Sequence, residues 1–251
     1  MTQNIYDNPD FFAAYSRLPR SVHGLEGAPE WPVLRALLPN PAGLNVLDLG
    51  CGFGWFCRFA AGQGAASVLG VDVSRNMLDR ARGETVTDIV RYERADLEDY
   101  APPAAAFDLV HSSLVFHYLA GLDGLLARVA SALAPGGRLV CSVEHPLLTA
   151  HTPPGWIVDG AGREVWPVTG YLDEGPRVSD WLAPGVVKRH RTVEGYVGAV
   201  LRAGLRLTDL VEWAPSPEQI AARPEWARER ERPFFLLLAA ERPQAAQKTL
   251  G

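Results

Sequence analysis

Three glycines and three acids carry the most chemical information in this chain. The stretch 46–55 reads VLDLGCGFGW. An apolar run reaches Asp48, and Gly50, Gly52 and Gly54 follow at alternate positions. Glycines in a strand-to-helix turn let the backbone bend tightly and let a ligand approach it closely. The helix that such a turn opens presents free N–H groups and the positive end of its dipole, which suits a carboxylate or a phosphate. A second acid, Asp72, lies in GVDVS, and a third, Asp96, lies in ERADLED. A carboxylate ending a second strand can take both hydroxyls of a ribose. One that follows a third strand can accept from an exocyclic adenine amine, with Val73 and Met77 sandwiching the ring.

A dinucleotide site would space its glycines as G-x-G-x-x-G. Here the third glycine arrives one residue early, and Trp55 stands where a pyrophosphate would need room. A nicotinamide oxidoreductase is therefore disfavoured. The three acids come with no group that would neutralise a phosphate, which suits a nucleoside carrying a sulfonium and an amine. Each feature has a plainer reading: a glycine-rich turn can be only a turn, and an acid at a strand end only a helix cap. Their agreement favours the site.

These residues need elements to hold them. Apolar runs at 45–49, 67–73, 89–93, 107–111 and 138–143 predict strands, and 54–63, 74–82 and 122–133 predict helices. Such alternation predicts βαβ units and a parallel sheet, whose strands are apolar on both faces because helices cover both. Ser74 suits an N-cap, and Pro135, Gly136 and Gly137 are expected to end a helix before the fifth strand. Residues 145–191 are rich in Pro, Gly and Trp and show no clear period. A helix at 192–203 and strands at 205–211 and 234–240 are expected beyond them. A helix-like stretch at 29–38 and an aromatic piece at 6–15 precede the first strand. The chain is thus expected to divide into an N-terminal cover (1–40), a ligand-binding core (41–144), a substrate-side insertion or lid (145–191), the rest of the core (192–242) and a disordered tail (243–251).

VLDLGCGFG, GVDVS, ERADLED, FDLV and APGGRLV resemble, in order and spacing, the signature segments of class I, Rossmann-like S-adenosylmethionine-dependent methyltransferases. The resemblance covers residues 45–144. It implies a doubly wound α/β fold whose seven-stranded sheet has the order 3-2-1-4-5-7-6, with strand seven antiparallel. It implies S-adenosyl-L-methionine as cofactor and S-adenosyl-L-homocysteine as product. By the same resemblance Asp48, Gly50, Cys51, Gly52 and Gly54 belong to the loop under the methionine end. Asp72 binds the ribose, and Asp96 with the Leu97 backbone binds adenine beside Val73 and Met77. Ser112 and Ser113 lie under the methyl donor.

The acceptor is a separate question, because a fold of this kind fixes the cofactor and not the substrate. Nucleic-acid amino-methyltransferases carry [DNS]-P-P-[YFW] after strand four, whereas this chain reads HSSLVFHYL. Methyl transfer is an in-line displacement that needs an aligned nucleophile and little water. A hydroxyl or N–H acceptor also benefits from a base. Candidates at strand ends are Glu144 and His145 in SVEHP and His117 in VFHYL, with Tyr15 approaching from the N-terminal cover. His190, in KRHRTVEGY, is a further candidate, against the reading that it pairs with Glu194 on a surface helix. Glu144 could equally serve a tight turn before Pro146, and His117 could simply pack in the core. Aromatic residues of the insertion (Trp156, Trp166, Trp181, Tyr171) and of the N-terminal piece (Tyr6, Phe11, Phe12, Tyr15) could wall a flat apolar acceptor or merely cement irregular chain. The expectation is a small, aromatic or heteroaromatic substrate. A cofactor-binding protein without catalysis, or an enzyme acting on a non-aromatic small molecule, is the alternative.

Bulk composition narrows the partners. The 251 residues carry a formal charge of −5, with no basic stripe for a phosphate backbone, so nucleic acid is not expected. Three cysteines without zinc spacing, Cys51, Cys57 and Cys141, imply no metal site and a reduced, cytoplasmic setting. The N-terminus shows no signal-peptide pattern, and the longest apolar run, 234–240, is too short to span a bilayer, so no membrane partner is expected.

Overall fold

The computed structural model describes residues 3–151 and 155–244. A 3₁₀ turn (Ile5–Asp7), helices α1 (Pro9–Tyr15) and α2 (Pro19–Val22), a second 3₁₀ turn (Gly24–Gly27) and α3 (Trp31–Leu37) precede the first strand. The core then runs β1 (Asn45–Leu49), α4 (Trp55–Gly62), β2 (Ser67–Asp72), α5 (Arg75–Glu84), β3 (Val90–Arg94), β4 (Phe107–Ser113), α6 (Leu122–Ala132) and β5 (Leu133–Glu144). The insertion holds α7 (Pro146–Ala150), the ribbon β6 (Ile157–Val158) with β7 (Glu164–Val165), and the hairpin β8 (Gly175–Ser179) with β9 (Val186–His190). The chain returns through α8 (Val193–Arg202), β10 (Arg206–Trp213), α9 (Pro217–Ala222), a 3₁₀ helix (Pro224–Arg230) and β11 (Phe235–Glu241).

Seven strands form one sheet, ordered β10-β11-β5-β4-β1-β2-β3. β11 is antiparallel to both neighbours, and the other pairings are parallel. Counting β10 and β11 as core strands six and seven, this is the expected 3-2-1-4-5-7-6. The strands read apolar throughout because consecutive residues feed opposite faces. Leu47, Val110, Leu139 and Leu238 join the cluster that packs α6 and α8. Their neighbours Val46, Leu109, Val140 and Leu237 join the cluster on the other face, with Leu34 of α3 and Phe56 and Ala60 of α4.

Three local expectations need correction. Pro135, Gly136 and Gly137 do not separate helix from strand. α6 ends at Ala132 and β5 begins at once. The partners of β4 then jump from Leu133 to Arg138, so residues 134–137 bulge out of the β4–β5 ladder, with Gly136 at φ 81°. The insertion is more regular than its composition suggests: on β9, Val186, Lys188 and His190 turn inward and alternate with less buried residues. Helix α9 was not anticipated, although Ser216 and Gln219 form a capping box whose S-x-x-Q signal is visible in the sequence. Of the tail expected to be disordered, residues 245–251 lie outside the described residues.

Candidate active site

A cavity opens at the carboxyl ends of β1 to β5, the edge at which open α/β sheets place their ligands. Its floor is the glycine-rich loop, where Gly50 N and Cys51 N donate to Val71 O at 2.7 and 3.0 Å. Gly50 has φ 73°, and a side chain there would strike Val115. Gly52 has φ 51° and faces open space. Both conformations favour glycine.

Asp72 ties this loop to the next helix. Its Oδ2 accepts from Gly52 N and its Oδ1 from Ser74 N, each at 2.9 Å. Burial pushes its carboxyl up to about 6, against the pull of those two N–H groups. Val73, Met77, Asp96 and Leu97 complete this end of the cavity. Ser74 caps α5 as expected, its Oγ accepting from Met77 N at 3.1 Å. Asp7 reinforces the same helix end, accepting from Ser74 Oγ, Arg75 N and Asn76 N.

Four residues of the expected cofactor set do not line this cavity. Asp48 is buried in the sheet, where Oδ1 meets His111 Nδ1 at 2.7 Å and Oδ2 accepts from Cys57 Sγ at 3.3 Å. Ser112 is fully buried and donates to Leu49 O at 2.9 Å. Strand alternation turns Ser113, not Ser112, to the cavity. Cys51 lines a smaller adjoining chamber, and Gly54 serves as the N-cap of α4 at φ 73°.

At the other end, Glu144 leaves β5 facing the cavity and accepts from Lys188 Nζ of β9 at 2.6 Å. That ammonium also sits 4.7 Å from the centre of the Trp181 ring. Burial alone would raise the Glu144 carboxyl, but His117, Lys188 and Arg20 together hold it below its ordinary value. His117 is buried on the 3₁₀ turn Phe116–Tyr118 and lines the cavity. Burial pushes its imidazole down to about 4, so it is neutral at pH 7. Its Nδ1 accepts from Glu144 N at 3.4 Å, which assigns the proton to Nε2. Tyr15, Tyr6, Tyr118 and Trp181 form an aromatic wall. Tyr6 meets Tyr15 edge-on at 5.2 Å, and Tyr15 meets Trp181 at 6.4 Å.

His145 does not join Glu144. Adjacent residues leaving a strand point to opposite sides. His145 is buried away from the cavity, its Nε2 3.0 Å from Glu212 Oε1 and its Nδ1 accepting from Leu147 N as the cap of α7. His190 neither reaches the cavity nor pairs with Glu194 on a surface. It ends β9 fully buried, between Thr149 Oγ1 and Tyr171 O, both at 2.8 Å. Trp156 and Trp166 pack on the Arg232 guanidinium instead of on the cavity, so only Trp181 of the three insertion indoles contributes to it. Tyr171 packs edge-on against His190, and its hydroxyl accepts from Val193 N at 3.1 Å. Phe11 is fully buried, and Phe12 sits edge-on to Phe53 at 5.8 Å. Sequence reasoning missed Lys188 and Arg20. The 186, 188, 190 alternation could have marked Lys188 as inward, whereas nothing local marked Arg20.

A family model described as a methyltransferase domain matches residues 23–184, well over half of the chain. The chain belongs to that family. It is a methyltransferase dependent on S-adenosylmethionine. The structure of an S-adenosylmethionine dependent methyltransferase from Mesorhizobium loti is 51% identical, with a TM-score of 0.84 over 87% of this chain and 100% of that one. The ubiquinone biosynthesis O-methyltransferase of Brucella anthropi is 28% identical over 82% of this chain and 76% of its own. The trans-aconitate 2-methyltransferase of Deinococcus radiodurans is 34% identical, but the match spans only 53% of this chain and 54% of that protein. Among the described residues no helix is long and apolar enough to cross a membrane, and no group of three or more His, Cys, Asp or Glu is placed to hold a metal ion.

Proposed function

We propose that this methyltransferase acts on a small aromatic or heteroaromatic metabolite, and that Glu144 positions or deprotonates it. The observation that carries the reading is the Glu144 carboxylate, anchored by Lys188 at 2.6 Å inside an aromatic-walled cavity whose opposite end holds Asp72 and Asp96. That opposite end fits the cofactor. Gly52 leaves the loop open to a close approach, Asp72 offers a carboxylate to the ribose hydroxyls, and Val73 and Met77 offer apolar faces to adenine beside Asp96 and Leu97. When bound there, S-adenosylmethionine supplies an electrophilic methyl group. The chain's own residues do the rest. Glu144 accepts the proton-bearing group of the acceptor. His117 is neutral with its proton on Nε2, so it serves as a donor to a neighbouring acceptor oxygen and not as the base. Tyr15 and Trp181 exclude water from the same space. Residues 1–40 and 145–191 act as cover and lid over the core formed by 41–144 and 192–242. The reading embraces transfer to oxygen, to nitrogen, or to the carbon of a ring such as a phenol or indole.

Arg20, on the same wall, favours a second reading in which the acceptor is a small carboxylic acid. The trans-aconitate 2-methyltransferase relative points the same way. Mass-spectrometric screening of phenols, indoles and small carboxylic acids with S-adenosylmethionine separates the two. Methylation confined to non-aromatic acids overturns the first reading.

A further inference from the structure

Beside the main cavity a larger groove lies between the N-terminal cover and the connection from β10 to β11. Residues 18–29 supply one wall and residues 215–229 the other, while Trp213, Phe234 and Phe235 line it from the end of the sheet. Gln219 of α9 ties the walls together, donating through Nε2 to Pro29 O at 2.8 Å. Leu18, Arg20, Phe234 and Phe235 line both the groove and the main cavity, so the two adjoin. The groove measures about 690 Å³ and the main cavity about 210 Å³. Sites for small ligands usually measure about 300–1,000 Å³. The main cavity falls below that range, and the proposed cofactor takes part of it. Only the reacting end of an acceptor fits in what is left.

Sheet register joins the two spaces. Glu144 of β5 stands opposite Phe235 of β11, and Phe235 stands opposite Trp213 of β10. Opposed residues of antiparallel strands turn their side chains to the same face. The three therefore form a row. Glu144 lines the main cavity, Phe235 lines both spaces, and Trp213 lines the groove. Neighbouring strands lie about 4.8 Å apart, so the row leads from the carboxylate to the indole in about 10 Å. The Trp213 and Phe235 rings are in contact, with centroids 5.4 Å apart. At the crossing the Arg20 guanidinium stands 5.8 Å from the centre of the Phe235 ring, held by Glu30 at 2.8 and 3.0 Å. Beyond it the charges of the far wall are engaged. Arg223 lies over the Trp226 ring at 4.8 Å, and Glu229 pairs with Arg232 at 2.9 Å. Such a lining calls for an uncharged, apolar occupant.

We propose that the groove is the second half of the acceptor site and takes an apolar arm of the substrate. The reacting group sits at Glu144, the body of the molecule crosses Phe235 beside Arg20, and the arm lies against Trp213 and Trp226. The substrate class is thereby an amphipathic molecule with an apolar extension, larger than a single ring. The proposal rests on the reading that Glu144 meets the reacting group of the acceptor.

A series of 4-alkylphenols tests this by calorimetry on the full chain saturated with S-adenosylhomocysteine. Phenol spans the main cavity only, and 4-butylphenol and 4-octylphenol extend past Phe235. In the wild type each added methylene that is buried should tighten binding about three- to fourfold. Ala222→Trp and His23→Trp, both at exposed positions on opposite walls, fill the groove. Combined, they should cut the affinity ratio of 4-octylphenol to phenol at least about tenfold. Either single variant should cut it less, and decides the matter if the double variant does not fold. Phenol that binds, with no gain from added methylenes, overturns the inference and leaves the reading of Glu144 standing. A gain that survives in every variant places the arm elsewhere and overturns the inference too. If no phenol binds, the aromatic acceptor and the inference fall together. Sedimentation should show the same mass for wild type and double variant. A dimer lost in the variant would assign the groove to a second copy of the chain and overturn the inference.

Discussion

On the proposed cofactor side of the cavity Asp72 is held by two backbone N–H groups, whereas on the acceptor side Glu144 is held by the side chain of Lys188. The difference runs through both regions. The cofactor side draws on residues 50–97, which follow the ends of β1, β2 and β3 directly or, for Met77, sit on the capped helix α5, and the sheet ladder fixes those strands. The acceptor side draws Tyr6, Tyr15, Tyr118, Glu144 and Trp181 from five separate segments, joined by ring contacts and one ion pair. Backbone-built geometry survives changes of side chain. Side-chain-built geometry changes with each substitution, which is how one fold serves many acceptors.

The sharpest way to break this comparison is to neutralise Glu144. Glu144→Gln keeps the shape and removes the charge. Turnover on the true acceptor should fall by roughly 10²–10⁴-fold if the carboxylate is the base. Affinity for S-adenosylhomocysteine should hardly change. A steady-state assay with parallel calorimetry checks both. Full activity in this variant would place the chemistry elsewhere. Lys188→Met probes the same pair from the other side. Burial raises the Glu144 carboxyl and Lys188 is among the groups that lower it, so losing the ammonium moves its titration upward. On the proposed role of Glu144 the rate depends on the carboxylate and falls as pH drops through its pKa. The acid limb of the pH–rate profile should therefore shift to higher pH.

On the cofactor side the expected effect is smaller. On the proposed placing of the cofactor, Asp72→Ala removes charged acceptors from the ribose and should cost roughly 1.5–3 kcal/mol of affinity for S-adenosylhomocysteine. Burial pushes the Asp72 carboxyl up to about 6, and on the proposed placing the ribose hydroxyls need its ionised form. Binding is then linked to loss of a proton, so affinity should decline as pH falls below about 6. In Asp72→Asn that limb should vanish. A limb that persists in the variant belongs to another group.

The same contrast explains what was legible in the sequence. Asp72, Gly52 and Met77 line the cavity as expected because a strand end, a glycine turn and a capped helix follow one another locally, and the sheet order is the one that the family resemblance of these segments implies. The resemblance puts Asp48 under the methionine end and Ser112 under the methyl donor; strand alternation turns Ser112 into the sheet, and Asp48, bound to His111, lines the smaller adjoining chamber instead of the main cavity. Position in a motif says nothing of which face a side chain takes when both faces are buried. Lys188 and Arg20 were missed for a different reason. Arg20 reaches the cavity through the folding of the N-terminal segment, which no periodicity in the chain encodes, whereas Lys188 meets Glu144 from a strand whose 186, 188, 190 alternation could have marked it as inward. Of the insertion's indoles, Trp181 reached the cavity while Trp156 and Trp166 went to Arg232, a division that composition cannot reveal.

The smallest effect on chemistry is expected at His145, and it separates two histidines that the sequence treats alike. Both His117 and His145 stand just past strand ends, and both are buried with imidazoles pushed below the ordinary value by that burial. Only His117 lines the cavity. His145 accepts from Leu147 N at the start of α7, and its other nitrogen meets Glu212, whose side chain is 55% exposed. The exposed partner contributes little, and loss of a helix cap costs about 0.5–2 kcal/mol. His145→Ala should therefore lower the melting temperature by a few degrees, at roughly 2–4 °C per kcal/mol for a chain of this size. Turnover measured well below that temperature should stay within about twofold of wild type. His117→Ala should cut turnover much further, because a lost or misplaced contact to the acceptor is expensive. Equal losses at the two positions would mean that the acceptor reaches both sides of the Glu144 strand end, and the division between cavity-facing and fold-facing histidines would fail.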